Sequence, residues 1–289
     1  MSRSPKAELA ARGLVAKHHF GQCFLADAGL AARIADLAMG QPADPLRLGE
    51  PHTTVIELGA GLGALTRPLL ERAARVVAVE RDRDLVPALN DNFAEAVAEG
   101  RLSLIEADAK ALDLGPLLAG APRPHVLAGN LPYQITGPLV TLAIRARPLL
   151  DRVVFLVQLE VGNRLAAGAG SDDYGALSVF AQAAFEVERA LVVRRGAFYP
   201  QPNVDSCVVV MTPREPAIEE TEIFRALVKQ AFAMRRKKLT NAWQGVAGAT
   251  RSELAESAER AGIELDRRGE ELSPRDFERM AFALAARQP

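Results

Sequence analysis

The chain has 289 residues, 49% of them hydrophobic and 25% charged, with a formal net charge of −1. This describes an ordinary globular protein with room for a large domain and a small one, and it excludes a disordered, fibrous or globally polycationic chain. No apolar run reaches the ~18–20 residues that span a bilayer, and the first residues lack the apolar stretch of a signal peptide, so the cytoplasm is the expected compartment. The two cysteines, Cys23 and Cys207, show no metal-ligand spacing and read as free thiols; no metal site is expected.

In chain order, residues 1–20 form a basic lead segment that can be mobile, with Arg3, Lys6 and Arg12. His18 and His19 in it read as solvated or RNA-facing. A Pro- and Gly-rich loop covers 40–52. Residues 53–58 are short, apolar and β-branched and read as a buried strand, with a helix over 62–74. A second strand follows at 75–80 and a second helix at 83–98. Further strands are read at 102–106, 125–129, 152–158 and 204–211, with a helix at 138–146. Strands alternating with helices predict βαβ units and a parallel sheet carrying helices on both faces, a Rossmann-like α/β fold. Past Thr221 helix formers dominate, over 222–246, 252–261 and 273–286. Ser273-Pro274 followed by Asp276 has the form of a capped helix start. Pro213 and Pro216 mark a linker. The expected division is an α/β domain over 1–213 and a small all-helical domain over 214–289.

Glu57-Leu58-Gly59-Ala60-Gly61-Leu62-Gly63 follows the first strand. Glycines there let the backbone turn sharply and approach a ligand. Ligands of open α/β sheets sit at the carboxyl ends of strands, so Gly59 and Gly61 are cofactor-loop candidates. The spacing Gly59-x-Gly61-x-x-Ala64 also fits a dinucleotide fingerprint. Glu80 ends the second strand roughly 20 residues on, where a carboxylate can accept from both ribose hydroxyls. Nicotinamide dinucleotides and S-adenosylmethionine share that feature. Asp108, after the third strand, can accept from an adenine amine.

Asn130-Leu131-Pro132-Tyr133 ends the fourth strand. An adenine amine is a poor nucleophile because its lone pair is delocalised into the ring. Two acceptors, the Asn130 side-chain oxygen and the Leu131 carbonyl, can draw its hydrogens out of the ring plane. Pro132 fixes the backbone so that both face one pocket, and Tyr133 offers a face for stacking. The tetrapeptide carries no general base, so positioning must supply most of the rate. Arg235, Arg236, Lys237 and Lys238 are consecutive, with Arg225 and Lys229 earlier on the same expected helix, and form a candidate RNA-binding face.

With these motifs in this order the chain resembles the small-subunit ribosomal RNA adenine N6,N6-dimethyltransferases, from about His19 to Phe282. The carrying segments are Phe20-Gly21-Gln22-Cys23-Phe24-Leu25, the glycine loop, Asn130–Tyr133, Tyr174-Gly175-x-Leu177-Ser178, Phe198-Tyr199-Pro200-Gln201-Pro202-Asn203-Val204-Asp205-Ser206 and Arg235-Arg236-Lys237-Lys238-Leu239-x-Asn241. The resemblance implies S-adenosylmethionine as cofactor. It implies Gln22, Cys23 and Leu25 in a segment closing over it, Gly59, Glu80, Asp108 and Asn130 in contact with it, and Asn130 with Leu131 on the target amine. It implies Tyr133 and Phe198 as the aromatics around the base; the loop prolines Pro200 and Pro202 place Phe198 outside a packed element. It also implies two adjacent adenosines in the 3′-terminal hairpin of small-subunit rRNA, each dimethylated during ribosome biogenesis, and an immature small subunit as partner of a monomeric enzyme. The family has Asn where this chain has Cys23. Three other readings use some of the same residues: a nucleotide-dependent oxidoreductase, which leaves Asn130–Tyr133 without a role, a non-catalytic RNA-binding assembly factor, and a large-subunit rRNA methyltransferase of the erythromycin-resistance type.

Overall fold

A computed structural model describes residues 4–40 and 52–286. Among these residues the strands are β1 Phe24–Leu25, β2 Thr54–Leu58, β3 Arg75–Glu80, β4 Leu102–Glu106, β5 His125–Asn130, β6 Arg152–Gln158, β7 Phe185–Val193, β8 Phe198–Tyr199 and β9 Ser206–Pro213. β1 and β8 pair antiparallel, and the other seven form one sheet in the order β4-β3-β2-β5-β6-β9-β7. Neighbours from β4 to β6 run parallel, and β9 runs antiparallel to β6. β2 is buried along its whole length and β5 up to its last residue, as expected of strands covered on both faces.

The chain leaves β2 toward β3 and β4 on one side, then returns to build β5 and β6 on the other. Strand order therefore reverses between β2 and β5, and their carboxyl ends bound the crevice where such sheets take ligands. The glycine loop follows β2, and Asn130 ends β5.

Against the sheet lies a helix, Ala28–Met39, that the sequence reading leaves unassigned. The Asp27 carboxylate caps it, accepting from the Leu30 amide at 2.9 Å. Ala31, Ile34, Ala35 and Ala38 repeat at helical spacing and share a core with Val55, Val126 and Val154. The helix expected at 62–74 is shorter, Thr66–Leu70, because residues before it form turns with Gly59, Gly61 and Gly63 all at positive φ. The helix expected at 83–98 breaks into Val86–Asn92 and Ala94–Ala98 at Phe93, whose ring fills the space where a Gly63 side chain would be. β7 is absent from the reading: only its two ends, Phe185 and Val193, are buried, so it shows no strong apolar run. The strand expected at 204–211 starts at Ser206. Most of the expected 40–52 loop, residues 41–51, lies outside the described residues.

The lead segment, expected as a stretch that can be mobile, is packed against the rest of its unit from residue 4 on. Ser4 caps helix Pro5–Ala11, Leu9 is buried with Phe24, Leu62 and Leu85, and Arg12 pairs with Asp91 at 2.9 Å. Arg3 falls outside the described residues.

Two compact units emerge: Met1–Gly162 with Glu188–Thr212, and Asn163–Val187 with Pro213–Pro289. Residues 163–187, expected in the first domain, belong to the second because their apolar side chains complete its core. Tyr174, Val179 and Ala183 pack with Phe224, Trp243 and Phe277, and the buried Tyr174 hydroxyl donates to the Leu272 carbonyl at 2.9 Å. In the same unit the helix expected over 222–246 is interrupted: Glu222–Ala233 ends at Met234, and Leu239–Ala242 resumes after a turn. Ser273 does cap its helix, accepting from the Asp276 amide, with Pro274 in the first turn.

Candidate active site

The glycine loop is tied to the neighbouring strand before any ligand arrives. Gly59 and Ala60 donate to the Val79 carbonyl at 2.8 and 3.2 Å. Gly61 donates to Glu80 Oε2 at 2.7 Å, and the Asp82 amide to Glu80 Oε1 at 2.8 Å. Burial pushes the Glu80 carboxyl above its usual range, and these amides pull it back. Each Glu80 oxygen still has a lone pair, so a ribose diol can donate to both. A side chain on Gly59 would meet the Asn130 carbonyl oxygen at 3.5 Å, which places the loop directly against the tip of β5.

At that tip the Asn130 amide is oriented by a long-range contact. Its Nδ2 donates to the Cys23 carbonyl at 2.9 Å, leaving Oδ1 as the free acceptor. The Leu131 amide donates to the Leu156 carbonyl at 3.0 Å, while the Leu131 carbonyl accepts no hydrogen bond given among the described residues. Tyr133 is anchored through its hydroxyl to Ser206 Oγ at 2.7 Å; burial raises the phenol above its ordinary value. Ser206 is a functional neighbour that spacing could not reveal, being 73 residues away.

A strap from the lead segment closes one side. Lys17 Nζ binds Asp82 at 2.5 Å and Asp84 at 2.7 Å, and Gln22 Nε2 donates to Asp82 at 2.8 Å. The Lys17 ammonium is held above its ordinary value, chiefly by the hydrogen bond to Asp82. Burial pushes the Asp82 carboxyl up, but the hydrogen bonds from Lys17 and Gln22 outweigh it and hold it low. Gln22 thus holds the strap through Asp82, and Cys23 contributes its carbonyl to Asn130; burial raises the Cys23 thiol. Asp108 caps a short turn, accepting from the Lys110 amide at 3.0 Å, with the Arg81 and Lys110 side chains each 3.6 Å from its other oxygen.

One cavity of about 920 Å³ brings Gln22, Cys23, Leu25, Gly59, Gly61, Glu80, Asp108 and Asn130–Tyr133 together. Phe198 is not among its walls. It pairs with Leu25 across β1 and β8, and its ring is packed among apolar core side chains, so the structure does not place Phe198 in the cavity as an aromatic face beside Tyr133. The basic residues 235–238 are also placed differently. They form the turn after Ala233, not a helix face, because the helix ends at Met234. Arg235 pairs with Glu270 at 2.8 Å and Lys238 with Asp266 at 3.1 Å; Arg236 and Lys237 are exposed and form no ion pair among the described residues. The cavity belongs wholly to the first unit and that turn to the second.

The doubly wound sheet, the glycine loop at its switch point and the strand-end carboxylate define a class I S-adenosylmethionine-dependent methyltransferase. The fold is shared with a dimethyladenosine transferase from Plasmodium falciparum, at TM-score 0.72 and 23% identity over 89% of this chain and 95% of that one. It is shared too with the 23S rRNA methyltransferase ErmE, at TM-score 0.67 and 24% identity over 91% and 99% of the two chains. The family model for ribosomal RNA adenine dimethylase matches residues 13–285. A Ribosomal RNA small subunit methyltransferase A from Geobacter metallireducens is 42% identical, over 95% of this chain and 97% of its own length. The chain belongs to the ribosomal RNA adenine dimethylase family. It is an S-adenosylmethionine-dependent rRNA adenine dimethyltransferase.

Proposed function

We propose that this chain, as a cytoplasmic monomer, dimethylates two adjacent adenosines in the 3′-terminal hairpin of small-subunit rRNA, acting on the immature small subunit. The carrying observation is the Asn130 amide, whose donor end is spent on the Cys23 carbonyl so that its oxygen and the Leu131 carbonyl form an acceptor pair in the cavity. The cofactor, when bound, supplies an electrophilic methyl on a sulfonium. Glu80 suits its ribose, Asp108 its adenine amine, Gly59 and Gly61 the close approach of its backbone-facing edge, and Gln22, Cys23 and Leu25 the cover above it.

Asn130 and Leu131 accept the two N6 hydrogens and turn the amine lone pair out of the ring. Pro132 holds the two acceptors on one side, and Tyr133, held by Ser206, bounds the base. With the amine held this way its lone pair would face the methyl donor, and the proton the amine must lose could leave to water. The two acceptors are neutral, so no side chain must take the proton. Arg236 and Lys237, the open members of the basic turn, suit phosphate contact, with Arg235 and Lys238 flanking them.

An oxidoreductase reading gives Asn130–Tyr133 nothing to do, and a non-catalytic assembly factor needs no oriented amide. The test supplies labelled S-adenosylmethionine with small or large ribosomal subunits from a strain lacking the modification. Label in small-subunit RNA is expected. Transfer to large subunits alone favours the erythromycin-resistance type, and binding with no transfer favours the assembly factor.

A further inference from the structure

The loop joining β8 to β9, and the turn before β8, form a second polar feature in the same unit as the cavity. Arg194 Nη1 donates to Asp205 Oδ2 at 2.8 Å, and the Arg195 amide donates to Asp205 Oδ1 at 3.0 Å. One carboxylate therefore fixes both the Arg194 guanidinium and the backbone at Arg195. These hydrogen bonds, the amide first, hold the Asp205 carboxyl below its usual range, so the anchor stays charged near neutrality. The Arg195 side chain itself is exposed; its charge also favours the Asp205 carboxylate, but among the described residues its guanidinium makes no side-chain hydrogen bond or ion pair. Arg194, Arg195, Asn203 and Asp205 line a recess of about 480 Å³. With two cations and one anion, the recess carries an excess positive charge on a protein whose formal net charge is −1.

The recess is wired to the amine pocket at both of its chain ends. Asp205 is followed directly by Ser206, which holds the Tyr133 hydroxyl at 2.7 Å. Arg195 opens the turn Arg195–Ala197; the Ala197 carbonyl accepts from the Ala26 amide at 2.8 Å, next to Leu25 in the cavity wall. A nucleic-acid strand that inserts one base beside Tyr133 must keep its neighbouring phosphates near the rim. An arginine presented on an anchored backbone suits a phosphodiester, because the guanidinium fork meets two of its oxygens at once.

We infer that the Arg194–Arg195 recess binds a backbone phosphate of the RNA strand next to the target adenosine and so sets which base enters the pocket. Phosphate contacts of this kind fix register. Arg195 makes the direct contact, and Arg194 with Asp205 holds it in place. The inference rests on the proposed reading of the amine pocket.

The test uses the full chain, labelled S-adenosylmethionine and unmethylated small ribosomal subunits. Arg195→Ala leaves the Arg194–Asp205 pair intact. It is expected to raise the RNA KM about tenfold, the loss of one charge-assisted contact, to reduce the slope of log KM against log salt by ~1, and to keep cofactor binding as in the wild type. Arg195→Lys, which restores charge without the fork, is expected to recover the salt slope and only part of the KM. An Arg195→Ala enzyme with unchanged melting temperature, KM and salt slope overturns the inference alone. Absence of any transfer by the wild-type chain removes the reading beneath it.

Discussion

Replacing Asn130 by alanine separates chemistry from binding. Among the described residues the side chain makes one hydrogen bond, Nδ2 to the Cys23 carbonyl at 2.9 Å. Losing a neutral, half-buried bond of this kind costs about 1 kcal/mol, which lowers the melting temperature by ~2–4 °C in a domain of this size. The larger loss is expected in the reaction, because Oδ1 is one of the two acceptors proposed for the amine. Removing one such oriented contact costs about a hundredfold in kcat, equivalent to ~2.7 kcal/mol of transition-state stabilisation. With Glu80 and the glycine loop proposed as the main cofactor contacts, cofactor affinity is expected to change less than about threefold, since a contact made to the reacting group contributes little to ground-state binding. Single-turnover transfer from labelled S-adenosylmethionine gives the rate, and calorimetric titration gives the affinity. A variant with near wild-type kcat removes Asn130 from the amine; a variant that loses cofactor binding and rate in equal measure makes it a cofactor residue only.

Gly63→Ala is expected to destabilise the first unit by about 3 kcal/mol, because Gly63 has φ +84° and its new methyl group would overlap the Phe93 ring; an unchanged thermal melt contradicts this. Burial pushes the Glu57 carboxyl up to about 8, the Glu80 charge adds to this, and the Thr66 hydroxyl at 2.6 Å opposes it. A group that holds its proton more tightly when folded contributes most in acid and loses that contribution as pH rises from 4.5 to about 8. Glu57→Gln is therefore expected to flatten the decline of stability between pH ~5 and ~8, read by urea melts, and identical pH profiles refute it. Arg236→Ala with Lys237→Ala should weaken RNA binding and lower its salt slope by ~1–2; an unchanged slope makes that turn solvated surface.

The parts of the fold carried by local chemistry were legible in the sequence. The bounds of β3, β4 and β6 match the reading: β3 and β6 are buried parallel strands that leave short apolar, β-branched runs, while β4, an edge strand with only Leu102 buried, is a short apolar stretch ended by Glu106. The capped helix after Ser273 was legible for a similar reason, since Ser, Pro and Asp at those positions act within one turn. What stayed hidden depends on partners distant in sequence. Nothing near Phe198 signals that its ring packs among the core side chains. Nothing near residues 163–187 signals that Tyr174 is needed 98 residues away at Leu272. Phe93 splits a continuous helical pattern because Gly63 leaves room for its ring. The helix Ala28–Met39 could have been found, since Asp27 precedes apolar positions at helical spacing, but its many small alanines weaken the apolar stripe. In the site, the motif residues were legible as types and positions. Their orientation was not: the Cys23 carbonyl that aims Asn130, the Ser206 hydroxyl that holds Tyr133 and the Lys17–Asp82 strap are all contacts between distant segments.

Mass spectrometric mapping of small-subunit rRNA from a strain lacking this chain, before and after the wild-type and Asn130→Ala proteins are supplied, bears on the proposal at its root. Wild-type protein should restore N6,N6-dimethyladenosine at two neighbouring positions of the 3′-terminal hairpin, and the Asn130→Ala protein should not. Full dimethylation in the deletion strain, or restoration by the Asn130→Ala protein at the wild-type rate, would contradict an adenine amine held between Asn130 and Leu131.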